Sequence, residues 1–236
     1  MEMTADTLVL GVVWYAAFLF SLTVHEAAHA WASLKLGDET AYLGGQVTLN
    51  PVPHMQREPV GTMVVPLLSY ALAGWVMGWA SAPYDPRWAD RYPRRAAWMA
   101  LAGPASNLLI TLACGVFIRV GIMLGTLEIP QTARFIQITA AAQPGIWESL
   151  ATLLSILFSL NLLLFVFNLI PLPPLDGSAV LPLFIKETWA RSYQEFMQQP
   201  GFGLLGLVVA WQLIGYVFQP LQLLSLTLLY PEISFR

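Results

Sequence analysis

One apolar run, Leu8–Leu34, is long enough to cross a bilayer as a helix, and within it lies the pentapeptide His25-Glu26-Ala27-Ala28-His29. A spanning helix needs about 20 mostly apolar residues. Two histidines and a glutamate inside hydrocarbon are costly, and such groups mark a functional site. At four-residue spacing the two imidazoles leave one helix face, one turn apart, as two ligands of a tetrahedral zinc ion require. Glu26 stands beside them and reaches a water in the metal's open position without being a ligand.

The rest of the chain has the same character. Of 236 residues, 57% are hydrophobic and 11% are charged, too little polar surface for a soluble domain of this length. Five apolar segments stand out: Leu8–Leu34, Val60–Ala80, Ala96–Ile118, Ser149–Ile170 and Gly203–Tyr230. Their length and lack of alternation favour helices over a barrel, so the expected fold is an all-α polytopic membrane protein. The lone cysteine, Cys114, excludes an intramolecular disulfide and a Cys-rich zinc site, and reads as a small helix-packing residue. Glu2 and Asp6 stand where a cleavable signal would be positive. A single membrane-embedded domain over 1–236 is expected, with its core at 8–180 and a C-terminal helix at about 203–230.

The second segment differs from the others. Pro66, Gly74 and Gly78 interrupt it, and the turn-rich Asn50-Pro51-Val52-Pro53 precedes it. That suits a broken, re-entrant element buried in protein. Just before it, Gly44–Asn50 reads as a short strand after a turn.

A hydrolytic zinc site needs a third protein ligand. The remaining histidine is His54, and most carboxylates lie in connectors where solvation is the simplest reading. Asp176 differs, because it follows the Pro-broken helix end Asn168-Leu-Ile-Pro-Leu-Pro-Pro-Leu and precedes Gly177. Prolines remove N–H donors and unwind the helix, letting a carboxylate turn inward. The competing reading makes Asp176 the N-cap of the next short helix.

These motifs resemble the site-2 proteases, the intramembrane zinc metalloproteases of family M50. They match in order: His25-Glu26-x-x-His29, then Ala102-Gly103-Pro104-Ala105-Ser106-Asn107, then Asn168-Leu-Ile-Pro-Leu-Pro-Pro-Leu-Asp176-Gly177. Leu49-Asn50-Pro51-x-x-His54, Pro59-x-Gly61-Thr62 and Gly78-Trp79-Ala80 are similar to a compact prokaryotic branch without a PDZ domain. The likeness covers roughly Val24 to Val180. It departs at Met55-Gln56-Arg57-Glu58, where that branch has a shorter His-x-Asp-Pro step.

Ligand placement constrains topology. His25 lies 17 residues after Leu8, about 25 Å along a helix, near the exit face of the first segment. Asp176 follows the fourth segment, so the two segments run parallel and an odd number of crossings separates them. With Val60–Ala80 re-entrant, Lys35, Arg57, Arg87, Arg91, Arg94, Arg95, Lys186 and Arg191 share one side, against Arg119, Arg134 and Arg236. Eight against three makes a positive-inside pattern, whereas five crossings would give six against five. The expectation is four spanning helices plus one re-entrant element with a short β-like segment, in a prokaryotic cell (inner) membrane. The active site then lies nearer the cytoplasmic face.

In this reading His25, His29 and Asp176 hold one Zn²⁺ per chain, and Glu26 is the general base and acid. Asn168, two turns before Asp176, is the candidate oxyanion donor. The resemblance implies a substrate or oxyanion contact for it, and a helix–helix hydrogen bond is the alternative. Val47, on the expected Gly45–Asn50 strand, would pair with an unwound substrate. His54 and Asn107 are placed near the cleft or in structural contacts. Gly103-Pro104 is read as a helix start, with the glycine easing close approach. Arg87–Arg95 with Trp88 and Tyr92 reads as an interfacial anchor. The implied partners are the lipid bilayer and a transmembrane-helix protein substrate, with no nucleic acid. The alternatives are a membrane zinc protease for lipidated or soluble peptides and a non-proteolytic metal-binding scaffold.

Overall fold

The computed structural model describes residues 4–186 and 201–233, with 189, 190, 192, 193, 196 and 199 between them. Arg191 and Arg236 of the charge count lie outside the described residues. Among the described residues, four helices are long and apolar enough to cross a membrane: α1 (Ala5–Leu36), α6 (Pro93–Met123), α7 (Ile146–Asn168) and α9 (Phe202–Leu229). Short helices α2 (Thr40–Leu43), α3 (Pro51–Arg57), α4 (Val65–Ala73), α5 (Pro86–Arg91) and α8 (Asp176–Val180) fill the connections.

The first helix is punctuated as its sequence dictates. Thr4 caps the N-terminus by accepting from the Thr7 amide, and Lys35 sits in the last turn. Gly37, at φ 102°, closes the other end, with its amide and that of Asp38 bonded to Leu34 and Ser33 carbonyls. At 32 residues it is about 48 Å long, more than the hydrocarbon thickness, so it crosses with turns to spare.

α1 and α7 run parallel, with α6 antiparallel to both. Trp14 and Phe18 pack with Ile156 and Leu160, and Ser21 bonds to Asn161, so both chains ascend together. Against α6 the order reverses: His25 meets Asn107 and His29 meets Met99. Only one of the four long helices, α6, separates α1 from α7, which is the odd number that the ligand placement demanded.

Val60–Ala80 folds back on itself. A π-turn at Val60–Val64 leads into α4. Pro66 has no N–H for the Thr62 carbonyl, and the wider turn accommodates its ring. Gly74, at φ 75°, ends α4, and the Met77 amide bonds to Ser69 Oγ. The chain then returns until the Trp79 amide donates to the Gly61 carbonyl at 3.1 Å. Entry and exit therefore lie together. At the inner end the Tyr70 hydroxyl donates to the Thr7 carbonyl at 2.6 Å, beside the start of α1. A Cβ on Gly61 would overlap the Trp79 carbonyl, and one on Gly78 the Gly61 carbonyl. The two arms therefore touch backbone to backbone.

Two local expectations are corrected. No strand forms at Gly45–Asn50; the segment is a series of turns and bends. The Gln46 amide bonds back to the Ala41 carbonyl, Thr48 Oγ1 accepts from the Asn50 amide, and Asn50 caps α3. Local turn chemistry uses the groups that a strand edge would offer. The small antiparallel sheet lies elsewhere, pairing β1 (Leu127–Glu128) with β2 (Ala140–Ala141) between α6 and α7. Nor does Gly103-Pro104 begin a helix. α6 starts at Pro93, where a proline at the first helical position loses no bond, and Pro104 lies inside it.

Candidate metal centre

Three elements meet at one point. His25, Glu26 and His29 are buried in α1 at 4–7% exposure, in a region where ionised groups persist only when partnered. The two imidazole centroids lie 4.6 Å apart, nearly perpendicular at 82°. α6 crosses directly over them at Gly103. A Cβ there would overlap His29 and come within 2.6 Å of His25 Nε2, so only glycine lets the helices approach this closely.

Each ring has one nitrogen committed. His29 Nδ1 lies 2.8 Å from the Met99 carbonyl, which can only accept, so that nitrogen carries the hydrogen. His25 Nδ1 donates to Asn107 Oδ1 at 2.6 Å, while Asn107 Nδ2 donates to Asn161 Oδ1 at 2.8 Å. In its neutral form each ring then presents a bare Nε2, and these two atoms face each other 3.0 Å apart. Interhelical hydrogen bonds of this kind contribute only about 0.6 kcal/mol on average. Their main consequence is orientation.

Asp176 supplies the third donor. Pro171, Pro173 and Pro174 interrupt the chain after α7, and Asp176 is the first residue of α8. It is not the N-cap; Leu175 occupies that place. A Cβ on Gly177 would overlap the Leu169 and Ile170 carbonyls, so glycine lets the chain double back onto the end of α7. The carboxylate then points inward, Oδ2 at 3.1 Å from His25 Nε2 and Oδ1 at 3.4 Å from His29 Nε2.

Two lone pairs and a carboxylate converge with no hydrogen among them. Asp176 Oδ2 is accordingly buried with no hydrogen-bond donor, although an imidazole nitrogen stands at 3.1 Å. A cation resolves this arrangement. For zinc–ligand distances of about 2.0–2.2 Å, tetrahedral ligands sit roughly 3.3–3.5 Å apart. The observed separations of 3.0, 3.1 and 3.4 Å lie at or a little below that edge length, the last two being to different oxygens of Asp176. Two imidazoles and one carboxylate are also an ordinary donor set for catalytic zinc, leaving one position open. His25, His29 and Asp176 thus form a group able to hold a metal.

A cavity of about 370 Å³ opens onto this point, lined by Glu26, His29, Asp176, Tyr84, Met99 and Ser178 among others. Glu26 faces the cavity but stands outside the ligand group.

Other predicted residues are placed differently. Asn107 bonds to His25 on one side and to Asn161 of α7 on the other. His54 lies buried in α3, its Nε2 donating to the Thr48 carbonyl at 3.0 Å, and so braces the 44–50 turns. Val47 is half-buried in those turns. Asn168 ends α7, half-buried, with no side-chain hydrogen bond among the described residues. None of these three lines the cavity among the described residues. Sequence reasoning missed Asn161 and Ser21. The signal was present, since an amide inside Leu160-Asn161-Leu162 demands an explanation as much as the histidines do.

Known proteins are similar to this chain in sequence. "Putative zinc metalloprotease YwhC" of Bacillus subtilis (strain 168) is 33% identical over 210 residues, covering 86% of this chain and 82% of that protein. "Putative zinc metalloprotease Rip2" of Mycobacterium tuberculosis (strain ATCC 25618 / H37Rv) is 30% identical over 207 residues, covering 88% and 70%. No solved structure matches the chain. Peptidase family M50 matches residues 13–208, which take in both imidazoles, Gly103 and Asp176. With four membrane-length helices around a group of two histidines and an aspartate, the chain belongs to peptidase family M50.

Proposed function

We propose that this protein is an intramembrane zinc endopeptidase that cleaves transmembrane segments of other membrane proteins. One observation carries the reading. Glu26 lines the same cavity as His29 and Asp176 yet takes no part in the ligand group. Pure metal storage has no use for such a carboxylate; hydrolysis does. The cavity is walled by the membrane-length helices α1 and α6 on one side and by the 80–90 and 173–179 connectors on the other.

His25 Nε2, His29 Nε2 and an Asp176 oxygen would hold zinc, which when bound would supply Lewis acidity toward the scissile carbonyl and lower the pKa of water. Glu26 takes a proton from the attacking water onto its carboxylate and gives it to the departing amide nitrogen. His25 and His29 keep their Nδ1 hydrogens throughout, because Asn107 Oδ1 and the Met99 carbonyl accept them. Asn168 lies at the end of α7 with its amide uncommitted and outside the cavity lining, so its assignment to the substrate carbonyl oxygen rests on the family resemblance and needs the substrate to reach that helix end. Replacing it by alanine is expected to lower kcat on the order of 10²–10³-fold with zinc content unchanged. An unchanged kcat would remove it from the reaction. A substrate helix has its backbone internally bonded, so it must unwind before entering.

The cavity opens at the basic end of the bundle. Arg95 donates to the Leu36 carbonyl and Arg57 to the Ser81 carbonyl, so these cations gather where α1 ends and α6 begins. By the positive-inside tendency this end faces the cytoplasm. Single cysteines placed at Ser81 or Ala89 are expected to resist a membrane-impermeant thiol reagent added outside intact cells. Labelling there would reverse the orientation.

The test of function is quantitative proteomics of membrane fragments in cells expressing the wild type or Glu26→Gln. Fragments ending inside transmembrane segments should accumulate only with the wild type. Identical fragment profiles would leave metal binding without proteolysis.

A further inference from the structure

We propose that Asn161 and Ser21 are positioning residues for the metal centre, holding His25 through Asn107 in the one neutral tautomer whose Nε2 is bare. The inference rests on the zinc reading above.

Hydrogen-bond logic runs in one direction through this chain of groups. Asn161 Nδ2 lies 2.8 Å from the Leu157 carbonyl, an atom that can only accept. The same Nδ2 lies 2.8 Å from Ser21 Oγ, whose own hydrogen is donated to the Ala17 carbonyl at 2.7 Å. Ser21 therefore accepts as well. Both hydrogens of the Asn161 amide are spent, and its nitrogen end is fixed without ambiguity. Its oxygen must then face Asn107, at 2.8 Å. That oxygen requires the nitrogen end of Asn107, which turns Asn107 Oδ1 toward His25 at 2.6 Å. His25 Nδ1 must donate, and Nε2 is left with its lone pair toward Asp176, 3.1 Å away.

Ser21, Asn107 and Asn161 are each fully buried at 0% exposure, so no solvent competes for these bonds. The relay joins all three central helices, with Ser21 on α1, Asn107 on α6 and Asn161 on α7. An amide that could rotate would offer His25 a donor instead, placing the ring hydrogen on Nε2 and blocking the metal. His29 needs no such relay, because its partner is a backbone carbonyl that cannot flip. The asymmetry explains why the network serves His25 alone.

The experiment uses the full-length chain in detergent micelles with ¹⁵N-labelled histidine. In metal-stripped wild type, His25 should carry its hydrogen on Nδ1 only. In Asn161→Leu both tautomers should appear, and zinc affinity, measured against a competing chelator, should fall about 10- to 100-fold. Asn161→Asp, kept neutral by burial, still offers a carbonyl to Asn107 and an O–H to Leu157, and should restore both readouts. A merely structural Asn161 would leave the tautomer untouched and make the aspartate no better than leucine. If the leucine variant does not fold, Asn161→Ser, too short to replace the amide, is read in the same way. A wild-type His25 with its hydrogen on Nε2, or a folded variant at either substitution with wild-type tautomer and zinc affinity, overturns the proposal. The tautomer is read without metal, so absence of zinc binding in the wild type would sink the zinc reading separately.

Discussion

Glu26→Gln is expected to lower cleavage of a membrane-spanning substrate on the order of 10²–10⁴-fold while leaving zinc bound. The amide keeps the size of the carboxylate but cannot accept a proton from water. Because Glu26 stands outside the ligand group, the metal should not register the change. Measured together, kcat and metal content separate this outcome from its rivals. Loss of both would mean that Glu26 is a ligand. Loss of neither would mean that it is not the base, and a metal-binding scaffold would behave that way.

Gly103→Ala is the second large effect. One methyl group, placed where α6 crosses α1, meets the imidazoles of His29 and His25 instead of empty space. Neither ring can yield freely, because Met99 and Asn107 hold their Nδ1 atoms. The helices must separate or the rings must turn, and either change spoils convergence on Asp176. Zinc affinity is expected to fall on the order of 100-fold, the upper range seen when groups supporting ligands are disturbed. Competition with a chelator would measure it. Retention of wild-type affinity would show that α6 does not press on the imidazoles as described.

The parts of this site that the sequence made legible were those that are costly. Histidines and a glutamate inside an apolar run, and an aspartate behind three prolines, have no cheap explanation, so their chemistry could be read before any fold was known. Topology followed from them, since His25 and Asp176 cannot share an ion unless α1 and α7 run parallel. The supporting groups were harder to read. Met99 contributes a backbone carbonyl, which has no sequence signature, and Asn161 acts only because α7 brings it between Ser21 and Asn107. The strand expected at Gly45–Asn50 rested on the alternation of Val47 and Leu49. Asn50, a strong turn former, and the Thr48 hydroxyl won that competition through their own side-chain bonds. Pro104 misled because a proline near a glycine usually marks a helix start. Here Pro93 already fills that role, and Pro104 is accommodated inside a helix packed on both sides by others.

The re-entrant element was legible for a different reason. Its glycines and prolines suited a broken element, and the charge balance favoured four crossings over five. What the sequence did not disclose was the direct contact of its two arms at Gly61 and Trp79, which depends on where α4 stops.

Metal analysis of the purified full-length chain, set beside Asp176→Ala, tests the central claim most directly. One zinc per chain is predicted for the wild type, and none for the variant at equal helix content. A wild type free of stoichiometric metal, or an Asp176→Ala chain that keeps its zinc at undiminished affinity, would contradict a site built from His25, His29 and Asp176.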